Sequence, residues 1–367
     1  MMMLRTATLA VLGSMLAACV QYAPEASAPV AAAPAEDTRR IVQSDFFRPE
    51  SLGDTRIKGV RHIGKTVSNI DETLAFYQPA VPFELAARYR IDASELFHAE
   101  MMDGDHGEIE IALIRTPTVF LQLVDFDPDS AAEPYAKPVY GPGYTHICFQ
   151  SPATAPAFGR FLDQGLTLVS RNAPVDLGGY GVTYAYGRDP DGTMIENETM
   201  DSPRREDSAW ITHIGGATSN VDRMVEFYTK FIGYGARRRG EYSNFPRMDD
   251  VAGLNGMVVR SSWFVLRNLE IEFWEYIEPA TPVRDEPANV DQLGYNMTAF
   301  EVTDADAEAA RLEALGIAML GPAIESHGWK LYYAYDPDGN VISIQENISA
   351  QSSESIDDMM WIDPTTY

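Results

Sequence analysis

The sequence predicts an α+β fold of four β-α-β-β-β units, arranged as two tandem copies of one domain. Three observations predict it. First, the chain repeats itself: residues 61–77 (RHIGKTVSNIDETLAFY) and 212–228 (THIGGATSNVDRMVEFY) are identical at eight of seventeen positions, at an offset of 151. The same offset maps GYTHICFQ (143–150) onto GYNMTAFE (294–301), and an offset of 147 maps DPDGTMIE (189–196) onto DPDGNVIS (336–343). Second, each copy alternates short runs of period-two hydrophobicity with segments of helical spacing. Third, 367 residues at 45% hydrophobic content supply material for two cores.

Taken in order, Val60 to Val67 alternates as a strand does, and Asp71 to Tyr77 follows with helical spacing, capped by Asn69 or Asp71. Strands are expected at 83–91, 109–115 and 118–126, separated by turn residues. A new strand opens at Thr145 to Phe149, a helix at about 154–164 ends at Gly165, and strands near 166–171, 181–187 and 193–198 complete the second unit. The stretch Ala93 to His106 breaks the pattern and receives no element. The two domains are therefore 58–200 and 209–347, joined by a polar, charged segment around Asp201 to Asp207. Residues 20–57 form an Ala/Pro-rich tether and lead-in, and 348–367 an acidic tail without a recognisable motif.

Composition narrows the partners. Lys and Arg total 28 against 54 Asp and Glu, a formal charge of −26. So acidic a surface repels phosphate backbones, which argues against nucleic acid. Two cysteines, Cys19 and Cys148, exclude a disulfide framework. Arg5, the apolar run Thr6 to Ala18, and Leu16-Ala17-Ala18-Cys19 resemble a bacterial lipoprotein signal spanning residues 1–19. That resemblance implies export, lipidation of Cys19 and a membrane partner through the lipid. Val20, rather than an aspartate, after the cysteine favours the outer membrane.

His-Ile-Gly, a short helix ending Phe-Tyr, and a later Asp-Pro-Asp-Gly-x-x-Ile-Glu resemble the vicinal oxygen chelate superfamily, over about residues 58–347. Glyoxalase I, methylmalonyl-CoA epimerase, extradiol dioxygenases and bleomycin-resistance proteins belong to it. The resemblance implies that two units curl into a cup, with metal ligands on the first and last strand of each. With neighbouring units paired, those positions in the first domain are His62, Gln122, His146 and Glu196. Alternation supports inward pointing: Gln122 lies between Leu121 and Leu123, and Glu196 shares a face with Met194 and Glu198. One such histidine is more often a satisfied core residue than a ligand. All four at ligand positions point to a divalent ion, Zn, Ni, Co or Mn.

The matching positions of the second domain are His213, Glu272, Met297 and Ser343. A thioether and a hydroxyl are poor ligands for such an ion. This domain is therefore expected to be metal-free, with His213 and Glu272 as hydrogen-bonded relics or pocket walls. The assignment depends on units pairing within each half; pairing across halves would build a mixed site.

The resemblance implies Lewis-acid stabilisation of an oxyanion while a carboxylate moves a carbon-bound proton, which is enediolate chemistry of an isomerase or lyase on a small vicinal-oxygen molecule. Glu196 and Glu198 are the expected carboxylates, whereas Glu108 and Glu110 read better as solvated strand residues. Two alternatives stand beside this reading. His62, His146 and Glu196 could hold Fe(II) as in an extradiol dioxygenase, although Gln122 is then a surplus ligand. The aromatic strands WFVL (263–266) and EIEFWEY (270–276) could instead line the cup of a non-catalytic binder. Neither substrate nor oligomeric state is legible.

Overall fold

The computed structural model describes residues 40–43, 55–127, 136–203, 205–206, 208–349 and 354–360. The lipoprotein signal, Cys19, most of the tether and parts of the acidic tail lie outside the described residues. After a lead strand β1 (Arg40–Gln43), the four units follow. Unit one holds β2 (Ile57–Thr66), α1 (Ile70–Tyr77), β3 (Glu84–Asp92), β4 (Glu108–Arg115) and β5 (Phe120–Asp125). Unit two holds β6 (Gly143–Pro152), α2 (Ala157–Asp163), β7 (Thr167–Leu168), β8 (Val175–Asp176), β9 (Val182–Arg188) and β10 (Met194–Met200). Unit three holds β11 (Trp210–Thr218), α3 (Val221–Ile232), β12 (Arg238–Tyr242), α4 (Pro246–Ala252), β13 (Val258–Val265) and β14 (Glu270–Glu278). Unit four holds β15 (Gly294–Val302), α5 (Ala305–Ala314), β16 (Ile324–Ser326), β17 (Trp329–Tyr335) and β18 (Val341–Asn347).

Local signals explain the helices. Asn69, Asn220 and Asp304 each accept a backbone N–H of the first turn with their side chains, which stops the strand before them and starts α1, α3 and α5. Gly233, at φ 91°, ends α3 in the left-handed region that a side chain would disfavour.

The pairing of units departs from the expected one. The sequence reading pairs one with two and three with four. The structure pairs two with three and one with four. One sheet runs β1-β12-β13-β14-β11-β6-β10-β9-β7, with β8 on β9; the other runs β16-β17-β18-β15-β2-β5-β4-β3. Thus β10 and the next strand, β11, lie in one sheet, whereas β5 and β6, and β14 and β15, lie in different sheets. Each sheet is closed at its centre by two first strands, β6 against β11 and β2 against β15, both antiparallel.

The two cups share one apolar core. Ile63, Leu121 and Phe300 of one module pack in the same cluster as Ile147, Ile214 and Phe273 of the other. Buried polar groups fix the contact. The Lys65 ammonium, with no exposed surface, lies 2.9 Å from both Asp189 and Asp191 of the first Asp-Pro-Asp-Gly turn. Asn268, from the β13–β14 turn, donates to the carbonyls of Val60 and Thr118 and accepts the Val60 N–H.

The unassigned stretch after β3 forms two short 3₁₀ turns, Ala93–Glu95 and Ala99–Met101. They bring Leu96, Phe97 and Met101 onto Trp329, Leu331 and Tyr333, filling the cup of units one and four. The corresponding insertion of unit three, α4, leaves the other cup hollow.

Lys65→Met leaves the buried Asp189 and Asp191 carboxylates without their counter-charge, a loss of about 3–5 kcal/mol for such a pair. Denaturant titration should show that loss; an unchanged midpoint would contradict the role given to this contact.

Candidate metal centre

In the cup of units two and three, the same strand positions recur in each half. In the parallel pair β6/β10, His146 lies opposite Met194, so Glu196 stands one inward-facing step beyond it. In β11/β14, His213 lies opposite Glu270 and Glu272 stands one step beyond. Antiparallel pairing of β6 and β11 then brings the two halves face to face. One ligand atom from each of His146, Glu196, His213 and Glu272 lies within 4.8 Å of the others. The four side chains are at most 7% exposed.

The geometry is a four-membered ring of charge. His213 Nε2 is 2.7 Å from Glu196 Oε2 and 3.3 Å from Glu272 Oε1. His146 Nε2 is 3.1 Å from Glu272 Oε1 and 3.4 Å from Glu196 Oε2. Burial opposes charge on His213, but the carboxylates of Glu272 and Glu196 outweigh it and raise its pKa to about 10. His146 is raised in the same way. Burial likewise opposes the Glu272 carboxylate, yet the two imidazoles lower it to about 2.

Neighbours orient the ligands. The Thr145 hydroxyl donates to the Gly215 carbonyl and accepts from His146 Nδ1, 2.9 Å away, which assigns Nε2 to the centre. Trp263 Nε1 donates to the outer oxygen of Glu272 at 2.6 Å. Gly215 makes room for a ring, since a Cβ there would lie 2.2 Å from His146 Cε1.

The donor set fits a divalent ion. Two imidazole nitrogens and two carboxylates suit a borderline metal, and the two negative charges neutralise it.

A cavity of about 540 Å³ opens from the centre, lined by Glu196, His213 and Glu272 among others. Its wall is largely aromatic: Tyr184 and Tyr186 of β9, Tyr242 of β12, Trp263 of β13 and Trp274 of β14. Of the aromatic strands noted in the sequence, Trp263 and Trp274 therefore face the cavity, while Phe264 and Phe273 are core. Glu198 also lines the cavity, with Gln150 Nε2 donating to it. Burial and the neighbouring Glu196 raise its pKa to about 7.

The expected quartet is thus divided. His146 and Glu196 are in this centre, but His62 and Gln122 lie in the other cup, with Met297 on the same small cavity of about 20 Å³. That cup already holds a cation. A register shift between β2 and β15 leaves Arg61 without a partner in the ladder, a bulge that lets Arg61 and His62 both line the cup. The Arg61 guanidinium sits 3.7 Å from the Trp329 ring centroid, donates to Gln345 and pairs with Glu354. Burial and the adjacent Arg61 hold the His62 imidazole well below its ordinary pKa. Glu108 and Glu110 pair with Arg90 and Arg88 on the rim of that sheet, as solvated strand carboxylates do. His213 and Glu272, expected as relics, form half of the centre.

Two family models, each described as the glyoxalase/bleomycin resistance protein/dioxygenase superfamily, match residues 59–197 and 212–333. The chain belongs to this superfamily. Glyoxalase I from Zea mays shares the fold at a TM-score of 0.53 and 16% identity, over 80% of this chain and 93% of that one. A putative dioxygenase from Bacillus subtilis does so at 0.53 and 12% identity, over 86% and 94%. No curated protein matches. Members of this superfamily differ in chemistry on one scaffold, so the site decides the reaction.

Losing an outer partner of a metal ligand typically costs 10–100-fold in affinity, so loss of a ligand should exceed about 100-fold. His213→Ala and Glu272→Ala should each weaken Zn²⁺ binding by at least that factor in calorimetry, while His62→Ala and Gln122→Ala leave it unchanged. In the same titration, Zn²⁺ must displace imidazolium protons, so affinity should rise about tenfold per pH unit for each proton released. A pH-independent affinity between pH 6 and 8 would contradict the charge ring.

Proposed function

We propose that the protein is a divalent-metal enzyme of glyoxalase or epimerase type, an isomerase or lyase, acting on a small molecule with two adjacent oxygens. One observation carries the reading: a His₂Glu₂ cluster at the wall of a cavity that also holds Glu198, a carboxylate outside that cluster. A divalent cation bound there would stabilise negative charge developing on the substrate oxygens.

The remaining work falls to the chain. Glu198 shares the inward face of β10 with Glu196, one alternate position further on, and Gln150 fixes one of its oxygens. It takes the proton from the carbon beside the carbonyl. The C–H electron pair moves toward the carbonyl oxygen, the proton of the adjacent hydroxyl passes to that oxygen, and Glu198 returns its proton to the former carbonyl carbon. The other half of the cup has Trp274 where this half has Glu198. The aromatic wall keeps water from competing for that proton.

The signal-like motif at Leu16 to Cys19 supports a second part of the proposal, export with lipid anchoring at Cys19. Cys19→Ser should move the protein from the membrane to the soluble fraction.

The reaction is tested with 2-hydroxyacetophenone in D₂O and protein loaded with Zn²⁺, Ni²⁺ or Mn²⁺. Deuterium should enter the α position, followed by NMR. Glu198→Gln should slow it by at least about 100-fold, the lower range for a general base, with the metal retained. Oxygen uptake with Fe²⁺ and a catechol, without exchange under any metal, would favour ring cleavage instead.

A further inference from the structure

The cavity holds a cation that the proposed proton transfer does not use. Arg238 opens β12 and pairs with Trp263, which in turn pairs with Glu272. Arg238 therefore stands in the row of the centre, two strands out, about 10 Å away at the usual interstrand spacing. Its side chain lines the same cavity as His213 and Glu272.

The guanidinium lies over the Trp263 indole, 4.1 Å from the ring centroid. Trp263 is held at its other edge by its hydrogen bond to Glu272. Stacking uses a face of the guanidinium and leaves its in-plane donors available. Among the described residues no hydrogen bond or ion pair takes them, and Nε is withdrawn from water without an acceptor. Arg61 in the other cup shows the contrast: it is stacked on Trp329 in the same manner, but its donors are spent on Gln345 and Glu354. Arg61 is a structural plug, whereas Arg238, apart from its stacking, is held by charge alone, in the field of the Glu270, Glu272 and Glu198 carboxylates, with the donors of its fork uncommitted.

The surroundings limit what the fork accepts. Arg238 is the one Lys or Arg among the described residues lining the cavity, and Glu198 and Glu270 line it too. A second anionic group on a ligand would meet carboxylates. The wall of the same cavity carries aromatic and thioether side chains, Tyr242, Phe245, Met248 and Trp274, which suit an apolar body.

We propose that Arg238 is a specificity-determining anchor, and that the substrate is a monoanion with two adjacent oxygens at one end, a ring-sized apolar body, and a single carboxylate at the other. The vicinal-oxygen end rests on the metal-centre reading; the carboxylate end rests on Arg238.

The test uses the full chain loaded with redox-inert Zn²⁺ and calorimetric titration with chelating probes. These are 4-ethylcatechol, which is uncharged, and three acids: 3,4-dihydroxybenzoate, 3,4-dihydroxyphenylacetate and 3-(3,4-dihydroxyphenyl)propanoate. At least one acid should bind about 10- to 100-fold tighter than 4-ethylcatechol, the worth of one charge-assisted, two-pronged pair. Arg238→Gln should bring that acid down to the level of 4-ethylcatechol, with affinities for 4-ethylcatechol and Zn²⁺ unchanged. Arg238→Lys should keep part of the preference. Equal binding of acids and 4-ethylcatechol by the unaltered protein overturns the anchor alone. So does an Arg238→Gln variant that loses both kinds of probe equally. If no catechol binds while Zn²⁺ is held, the vicinal-oxygen reading fails and the proposal with it.

Discussion

The antiparallel pairing of β6 with β11 is the constraint on which the rest depends. It brings a histidine and a glutamate from unit two against the same pair from unit three. Without it, His146 and Glu196 would be half a site, and each carboxylate would lose its shorter imidazole contact, His213 on Glu196 and His146 on Glu272. The two imidazoles and two carboxylates form a ring in which each histidine faces both glutamates. A buried arrangement of that kind is tolerable only when every member is paired. A divalent cation placed there would meet two carboxylates of matching total charge and two imidazole nitrogens.

The two cups show how one scaffold diverges. Both keep a histidine on a first strand, yet they solve the problem of a polar cup floor in opposite ways. The cup of units one and four supplies its own cation from Arg61 and packs the space with Leu96, Phe97 and Met101. The cup of units two and three keeps four ligands and a roomy cavity, with α4 contributing Met248 and Val251 to its wall. The filled cup then acts as a foundation, joined to the open one through Lys65, Asn268 and a shared core.

Much of the fold was legible in the sequence. The repeat, the period-two strands, the Asn caps and the Asp-Pro-Asp-Gly turns are local signals, and the elements stand within a few residues of their expected places. Pairing of units is a long-range property, so local pattern could not choose it. A charge argument could have. The last-strand positions read Gln122, Glu196, Glu272 and Ser343 through the four units, and the first-strand positions His62, His146, His213 and Met297. Pairing units two and three alone gathers both carboxylates with two imidazoles and matches a divalent charge. The filling of the other cup was not legible, because it depends on a one-residue bulge at Arg61 and on an insertion with no periodic pattern.

Anomalous diffraction from crystals grown with a transition metal tests the central claim most directly. The account predicts one peak per chain, bounded by His146 Nε2, His213 Nε2 and carboxylate oxygens of Glu196 and Glu272. A peak beside His62 and Gln122, or an unoccupied ring in the presence of saturating metal, would contradict it.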